Sequence, residues 1–417
     1  MTDDTSYPMT LGQLSVWVDV QKMPPERRWE ANLVPFVWDL PPGHTEEEVW
    51  DAFTALAMRH ESLRTTYLDS GDGEFRQQVT SHDATSAMES VRRGTADVSE
   101  RDALVDSEYR TNIDVTAAMP WRVWILTDGG VPAHAIVTLN HMAADGVGAR
   151  IMQDELKVFL AGDGASLEPA PTPIELAIRQ NEGEGASRIR SAERLWRKTL
   201  DAAPRLTGAE KSAERVGGIL HTGIPTPLAH EGADKLDVTL ASLILAAYYR
   251  GLREVTGKPK HLLYPMSNNR FDAETKTLVS SLNQWVPLLL EFGDDEPLTE
   301  VVQRTHWKAF NALKYGLCRA NVTVGMRDEF EAGGGDPGHY FNPMIAKPGF
   351  PSADVLVPSH VEWFEPARAT GPGFYLIVRA ITSVDLVVRT NRPGYGKEEI
   401  EVFLASLQAT LTEALGL

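Results

Sequence analysis

One histidine in this sequence stands where a proton-handling group is useful. In LNHMAADGVGAR, residues 139–150, His141 ends an apolar run that reads as a strand, and four residues later Asp145-Gly146 opens a helical pattern. A neutral imidazole, with an ordinary pKa near 6.5, can take a proton from an attacking amine or alcohol, or orient it by hydrogen bonding. Acyl transfer to a nucleophile suits such a group. A structural reading fits the same residues: His141 caps a buried strand, Asp145 N-caps the next helix and Gly146 relieves the turn. The residues alone leave both readings open.

Other chemistries find no support. The chain carries no GxxxxGK[ST] loop, no dinucleotide fingerprint after a strand, no HExxH and no GxSxG elbow. Its 11 histidines show no two-ligand spacing on one helix, and His141 with Asp145 makes a poor divalent site, so no metal is expected. Hydrophobic content of 42% with 24% charged residues describes a globular protein. Forty Lys and Arg against 58 Asp and Glu give a net charge of −18, a field that opposes nucleic acid and anionic membrane. The opening MTDDTSYPMTLGQ lacks a secretory pattern, and no run approaches the roughly 18 apolar residues of a membrane span. A single cysteine, Cys318, excludes an intramolecular disulfide and suits a reducing compartment. The expected setting is the cytoplasm, without a nucleic-acid or membrane partner.

The 417 residues exceed the usual single core and predict two lobes. HTEEEVWDAFTALAMRHESLRTTY, 44–67, reads as an amphipathic helix with Thr45 and Glu48 in capping-box spacing. PWRVWILTDGGVPAHAIVTLNHM, 120–142, reads as two strands joined at Asp128-Gly129-Gly130, the second delivering His141. Helical spacing returns over 147–160. The Gly- and Pro-punctuated AGDGASLEPAPTPIEL then marks a linker, which divides the chain into lobes 1–168 and 169–417. In the second, Arg188, Arg190, Arg194, Arg197 and Lys198 form a dense basic run, ordinarily a solvated helix face. A buried helix over 236–258 with Thr239 as N-cap follows, then a strand in HLLYPMSNNR. SSLNQWVPLLLEF, 280–292, reads as a buried strand whose Pro287 asks for an edge or bulge. Two strands in FYLIVRAITSVDLVVRT and a closing helix in KEEIEVFLASLQATLTEAL complete a mixed α/β pattern.

Together these stretches resemble a known family. NHMAADG is similar to the HHxxxDG signature of the condensation domains of nonribosomal peptide synthetases, in the chloramphenicol-acetyltransferase-like superfamily. LGQLSVW resembles the family's opening motif, RHESLRTTY its RHExLRTxF, IDVTAAMPWRVWIL the segment before the hairpin, YPMSNNR the strand ending in arginine, and SSLNQWVPLLL the FVNTLPLR strand. The motifs fall in the family's order and span nearly the whole chain. The resemblance implies an α/β (α+β) fold of two acetyltransferase-like lobes, a V-shaped pseudo-dimer with a central substrate tunnel. It implies His141 as the catalytic residue and Asp145 as a structural partner of Arg270. Asn140 stands at the first motif histidine, and the Gly146 N–H is a candidate donor to a developing oxyanion. Ser267, Gln284 and Trp285 fall where relatives line the tunnel.

Departures bear on the substrate. Gly148 replaces the usual serine, Gln284 and Trp285 stand for Asn and Thr, Leu289 for Arg, and a later motif with Asp, Pro and Phe is hardly visible in ALKYGLCRANV. Trp285 reads equally as a tunnel wall or a core tryptophan. The resemblance implies a stand-alone, monomeric condensation enzyme of natural-product biosynthesis, an acyltransferase with no bound cofactor. It would join an acyl or aminoacyl thioester, delivered on the phosphopantetheine of an acyl or peptidyl carrier protein, to a small-molecule amine or alcohol. The basic run would then offer an acidic carrier a docking patch. Two alternatives accompany this reading: an acyl-CoA-dependent O- or N-acyltransferase, which DGVGAR loosely resembles, and an inactive partner-binding module.

Overall fold

The computed structural model describes residues 5–71, 75–80, 83–206, 214–293, 295–346, 355–368 and 370–417; the first four residues of the opening stretch lie outside them. Two compact units divide the chain. The first holds Met1–Arg188, Asn268–Gln284 and Arg319–Asn321, and the second holds Ile189–Ser267, Trp285–Cys318 and Val322–Leu417. The division falls later than the Pro- and Gly-rich stretch near 168, because the helix Pro173–Asn181 stays with the first unit. That unit also takes back a segment from the middle of the chain.

In the first unit a hairpin carries the site. Strands Trp121–Asp128 and Val131–Leu139 are joined by Gly129 and Gly130 at φ of 57° and 85°, the left-handed pair that a two-residue hairpin loop requires. The sheet order is Phe36–Asp39, Val131–Leu139, Trp121–Asp128, Arg92–Asp97. The helix Glu46–Arg59 starts in a complete capping box between Thr45 and Glu48 and buries Val49, Phe53, Leu56 and Ala57. The helix Gly146–Leu160 adds Met152 and Leu156 to the same core, over Trp121, Val123 and Val137 from the hairpin. Both sides of the His141 loop are thus fixed by packed elements.

Two expected elements differ. The helix expected to run to Tyr67 stops at Arg59, gives a 3-10 turn over Glu61–Arg64, and becomes a strand at Thr65–Asp69 paired with Phe75–Val79. Arg64 ends it by donating from Nε to the Ala57 carbonyl at 2.7 Å and from Nη2 to that of Met58 at 3.2 Å. The β-branched Thr65-Thr66 then favours extended backbone. The strand expected over 280–292 breaks into Gln284–Trp285 and Leu288–Glu291 around Pro287, which cannot donate to a ladder.

The second unit is a mixed sheet covered on both faces, ordered Lys260–Ser267, His339–Ile345, Phe374–Ala380, Ser383–Thr390, Val216–Pro225, His360–Phe364. On one face the helices Leu240–Thr256 and Lys397–Leu415 pack Leu243, Tyr248, Phe403 and Leu407 over Leu263, Phe374 and Leu376. On the other, Trp196 and Leu200 of the helix Gly183–Ala202 meet Leu262, Tyr264 and Tyr340. Burial on both faces is why these strands read as continuous apolar runs. Arg188, Arg190, Arg194, Arg197 and Lys198 lie exposed along that last helix.

Inside this unit, His339 Nε2 accepts from the Tyr395 hydroxyl at 2.7 Å and from Arg392 Nη1 at 3.1 Å, while Arg392 Nη2 bonds Asp336 at 2.7 Å. Burial first, then the Arg392 charge, holds His339 well below the usual imidazole range, and burial pushes His261 down to about 4. Both fold neutral, so the unfolded chain binds protons the folded one refuses. The stability is complete above the unfolded imidazole value of about 6.5 and is lost progressively as pH falls from there toward the folded values. The urea midpoint is expected to drop between pH 7 and pH 5, less steeply in His261→Gln; a flat midpoint would contradict this.

Candidate active site

His141 leaves the end of the hairpin at a point where the backbone has no freedom. Its N–H donates to the Ala31 carbonyl at 2.8 Å, the Asn140 N–H donates to that of Pro120 at 2.8 Å, and Ala143 N–H closes a turn on Asn140. The Asn140 side chain is buried. Its Oδ1 accepts from the Met142 N–H at 3.0 Å, and its Nδ2 donates to Asn32 Oδ1 at 3.4 Å. An amide can do both at once, having one acceptor and one donor end. Asn140 thus shapes the turn that presents His141. Beneath it, the fully buried Tyr67 donates to the Met142 carbonyl at 3.1 Å and is met by Gln13 Nε2 at 3.4 Å. Burial pushes the Tyr67 phenol well up, so it stays a donor.

Asp145 is fully buried and does three things with two oxygens. Oδ1 caps the helix Gly146–Leu160 by accepting from Gly148 N–H at 2.9 Å, and accepts from Arg270 Nη2 at 2.8 Å. Oδ2 accepts from Leu282 N–H at 3.2 Å. Arg270, itself buried, also donates to the carbonyls of Thr275, Leu278 and Ser280 at 2.6, 2.8 and 3.2 Å. Asn269, at a φ of 51°, turns the chain into this segment and donates to the Leu282 carbonyl at 2.8 Å. The result ties residues 268–284 to the His141 loop.

That segment supplies a residue the sequence did not point to. Ser281 Oγ lies 3.2 Å from His141 Nδ1, with Ser281 fully buried and His141 half-buried. The two are 140 positions apart, and no spacing rule links them. Gly12 supports the contact from behind: a Cβ there would fall on the Ser281 carbonyl and the Leu282 Cα, so the helix Leu11–Lys22 can approach only with glycine. Gly146 is exposed at the first helical position, where its N–H has no partner within the helix. Gly148 has Ala144 Cβ at 3.1 Å from where a side chain would begin.

The remaining sequence-named residues divide between the units. Gln284 is buried in the first, with Oε1 3.4 Å from Asn269 Nδ2. Ser267 and Trp285 belong to the second, Ser267 buried and Trp285 partly exposed, edge-on to Tyr340 at 4.9 Å and to Tyr375 at 5.7 Å. A cleft of about 130 Å³ opens beside Asn140, lined by Trp17, Val20, Arg28, Ile113 and Val115 among others. Among the described residues no group of three or more His, Cys, Asp or Glu stands together as metal ligands, and no helix is long and apolar enough to cross a membrane.

Residues 4–317 match the family model of the condensation domain. The chain belongs to the condensation domain family. It is 24% identical over 291 residues to cyclosporin synthetase of Tolypocladium inflatum, which covers 65% of this chain and 2% of that protein. The condensation domain thus spans a small fraction of the curated relatives it matches. Its fold is that of the condensation domain mediating chain release from the enacyloxin polyketide synthase, with a TM-score of 0.77 at 16% identity, covering 100% of this chain and 84% of the other. The SgcC5 protein from Streptomyces globisporus gives a TM-score of 0.73 at 19% identity, covering 98% of both chains. The mixed α/β, acetyltransferase-like fold expected from the motifs is therefore the fold of this condensation domain.

Two outcomes test how the loop is held. Asp145→Ala leaves Arg270 charged and buried without its carboxylate, and is expected to lower unfolding free energy by about 3–5 kcal/mol in urea titration. A loss under about 1 kcal/mol would mean that the pair does not hold the segment. Gly12→Ala overpacks the contact with Ser281 and is expected to cost about 1–3 kcal/mol and lower the melting temperature. An unchanged melting temperature would show that the helix gives way freely.

Proposed function

We propose that this condensation domain forms an amide or ester bond between an acyl or aminoacyl thioester and an amine or hydroxyl acceptor, with His141 as the proton-handling residue. The observation that carries this is a half-buried imidazole held at the end of a strand by a loop whose own polar groups are bonded elsewhere. The family of the chain, whose relatives include peptide synthetases and a chain-releasing domain, supports an acyl-transfer reading. A neighbour of the same fold was solved with an aryl ethanediol, which keeps hydroxyl acceptors in view beside amines. The donor is proposed to arrive on the phosphopantetheine arm of a carrier protein. Tunnel-lining roles for Ser267, Gln284 and Trp285 belong to the same proposal.

The reaction needs little beyond placement, because a thioester is already activated. The acceptor nitrogen or oxygen attacks the thioester carbonyl while His141 takes its proton. The tetrahedral oxygen gains negative charge, and the Gly146 N–H, at the positive end of its helix, is the proposed donor to it. Collapse breaks the C–S bond, and the proton passes from His141 to the departing thiolate. Amide or ester and free thiol result. Asp145 and Arg270 act on this only through the backbone they hold.

His141→Ala is expected to lower the transfer rate at least tenfold with the fold intact by circular dichroism, and an unchanged rate would remove the proton role. Side-by-side rates with one acyl group on a carrier protein and on coenzyme A decide the donor. Faster transfer from the carrier is expected; a strong preference for the free coenzyme thioester would overturn it, and no turnover from either would favour a binding module.

A further inference from the structure

We propose that Ser281 is the positioning residue for His141: its hydroxyl oxygen accepts from Nδ1–H and so holds the tautomer in which Nε2 carries the lone pair. The assignment rests on the reading of His141 as the proton-handling group. It begins from the 3.2 Å separation of Ser281 Oγ and His141 Nδ1 and from the difference in burial between the two residues. Ser281 is wholly inside and the histidine is half-buried, so the Nδ1 edge of the ring meets Ser281 in the interior. An uncharged imidazole carries one proton. If Nδ1 holds it, Nε2 is a base; if Nε2 holds it, the base is lost.

The contact is built into the backbone on both sides. Ser280 C=O accepts from the Asp145 N–H at 3.3 Å and from Arg270 Nη2 at 3.2 Å, and Leu282 N–H donates to Asp145 Oδ2 at 3.2 Å. Both neighbours of Ser281 are therefore bonded to Asp145, and Gly12 packs against its carbonyl. His141 is in turn tied to Ala31 through its own N–H. With both backbones fixed, the hydroxyl meets the ring without a search, which is the condition for an orienting group to be effective. The same burial argues against Ser281 as an acyl-accepting nucleophile, since no part of it is exposed to a thioester. It acts through His141 or not at all.

The test reads the proton directly. Protein labelled with 15N-histidine is examined by NMR near pH 8, with the His141 resonances assigned by their absence in His141→Gln. The Nδ1–H form is expected to dominate in the native protein. Ser281→Ala removes one hydroxyl and leaves the backbone bonds to Asp145 in place. It is expected to shift His141 toward the Nε2–H form that predominates in free imidazole side chains, and to lower kcat about tenfold with KM little changed. Ser281→Thr, which keeps the hydroxyl, is expected to restore both. A tautomer balance identical in native protein and Ser281→Ala would overturn the assignment, as would a native protein already dominated by Nε2–H. A tautomer shift without any change in rate would support Ser281 as the positioning residue and count instead against proton transfer at His141.

Discussion

Everything at this site depends on one buried ion pair. Asp145 and Arg270 lie 2.8 Å apart with almost no solvent contact, in a first unit that draws residues 268–284 back from the middle of the chain. Desolvating two charges is expensive, and such a pair persists when most of its remaining hydrogen-bonding capacity is used. Here Asp145 accepts from two backbone N–H groups as well, and Arg270 donates to three carbonyls, its buried Nε alone finding no hydrogen-bond partner among the described residues. The pair is better understood as a fastener between two stretches of backbone than as a source of net stability. One stretch carries His141 and the other Ser281.

The chemistry proposed for this site is sparse, and that suits an activated donor. Under the proposed acyl transfer, a histidine and a helix N-terminus are sufficient groups because a thioester is already activated. Precision then matters more than the number of groups. Fixed backbone on both sides of the imidazole, with Asn140 and Tyr67 closing the turn beneath it, is how the fold supplies that precision. The Asn140 amide shows how a departure from the HHxxxDG pattern keeps the turn, since it bonds Met142 and Asn32 together.

Much of this was legible in the sequence where the cause is local. The Thr45–Glu48 capping box, the Gly129-Gly130 hairpin, the Thr239 cap and the helix after Asp145 all obey rules of a few residues' reach. Order and spacing of motifs gave the family, and the resemblance paired Asp145 with Arg270. Two departures are local as well: Arg64 stops a helix by bonding carbonyls six and seven positions back, and Pro287 splits a run at the residue that already asked for an edge or bulge. What escaped was set by distant packing. Ser281 carries no signature at all, because its importance lies in being brought to His141 by an arginine eleven positions earlier. The unit boundary escaped for the same reason: a returning segment leaves no mark in composition.

The central claim is that the Asp145–Arg270 fastener serves catalysis through His141. A double-mutant cycle on transfer rate, pairing Arg270→Lys with His141→Ala, measures this directly. Lysine keeps the charge and loses the planar fork, so the fold is disturbed least. The account predicts that Arg270→Lys slows the native enzyme severalfold but adds little to the loss already caused by His141→Ala. Equal losses in both backgrounds would contradict it, and would make the ion pair a matter of stability alone.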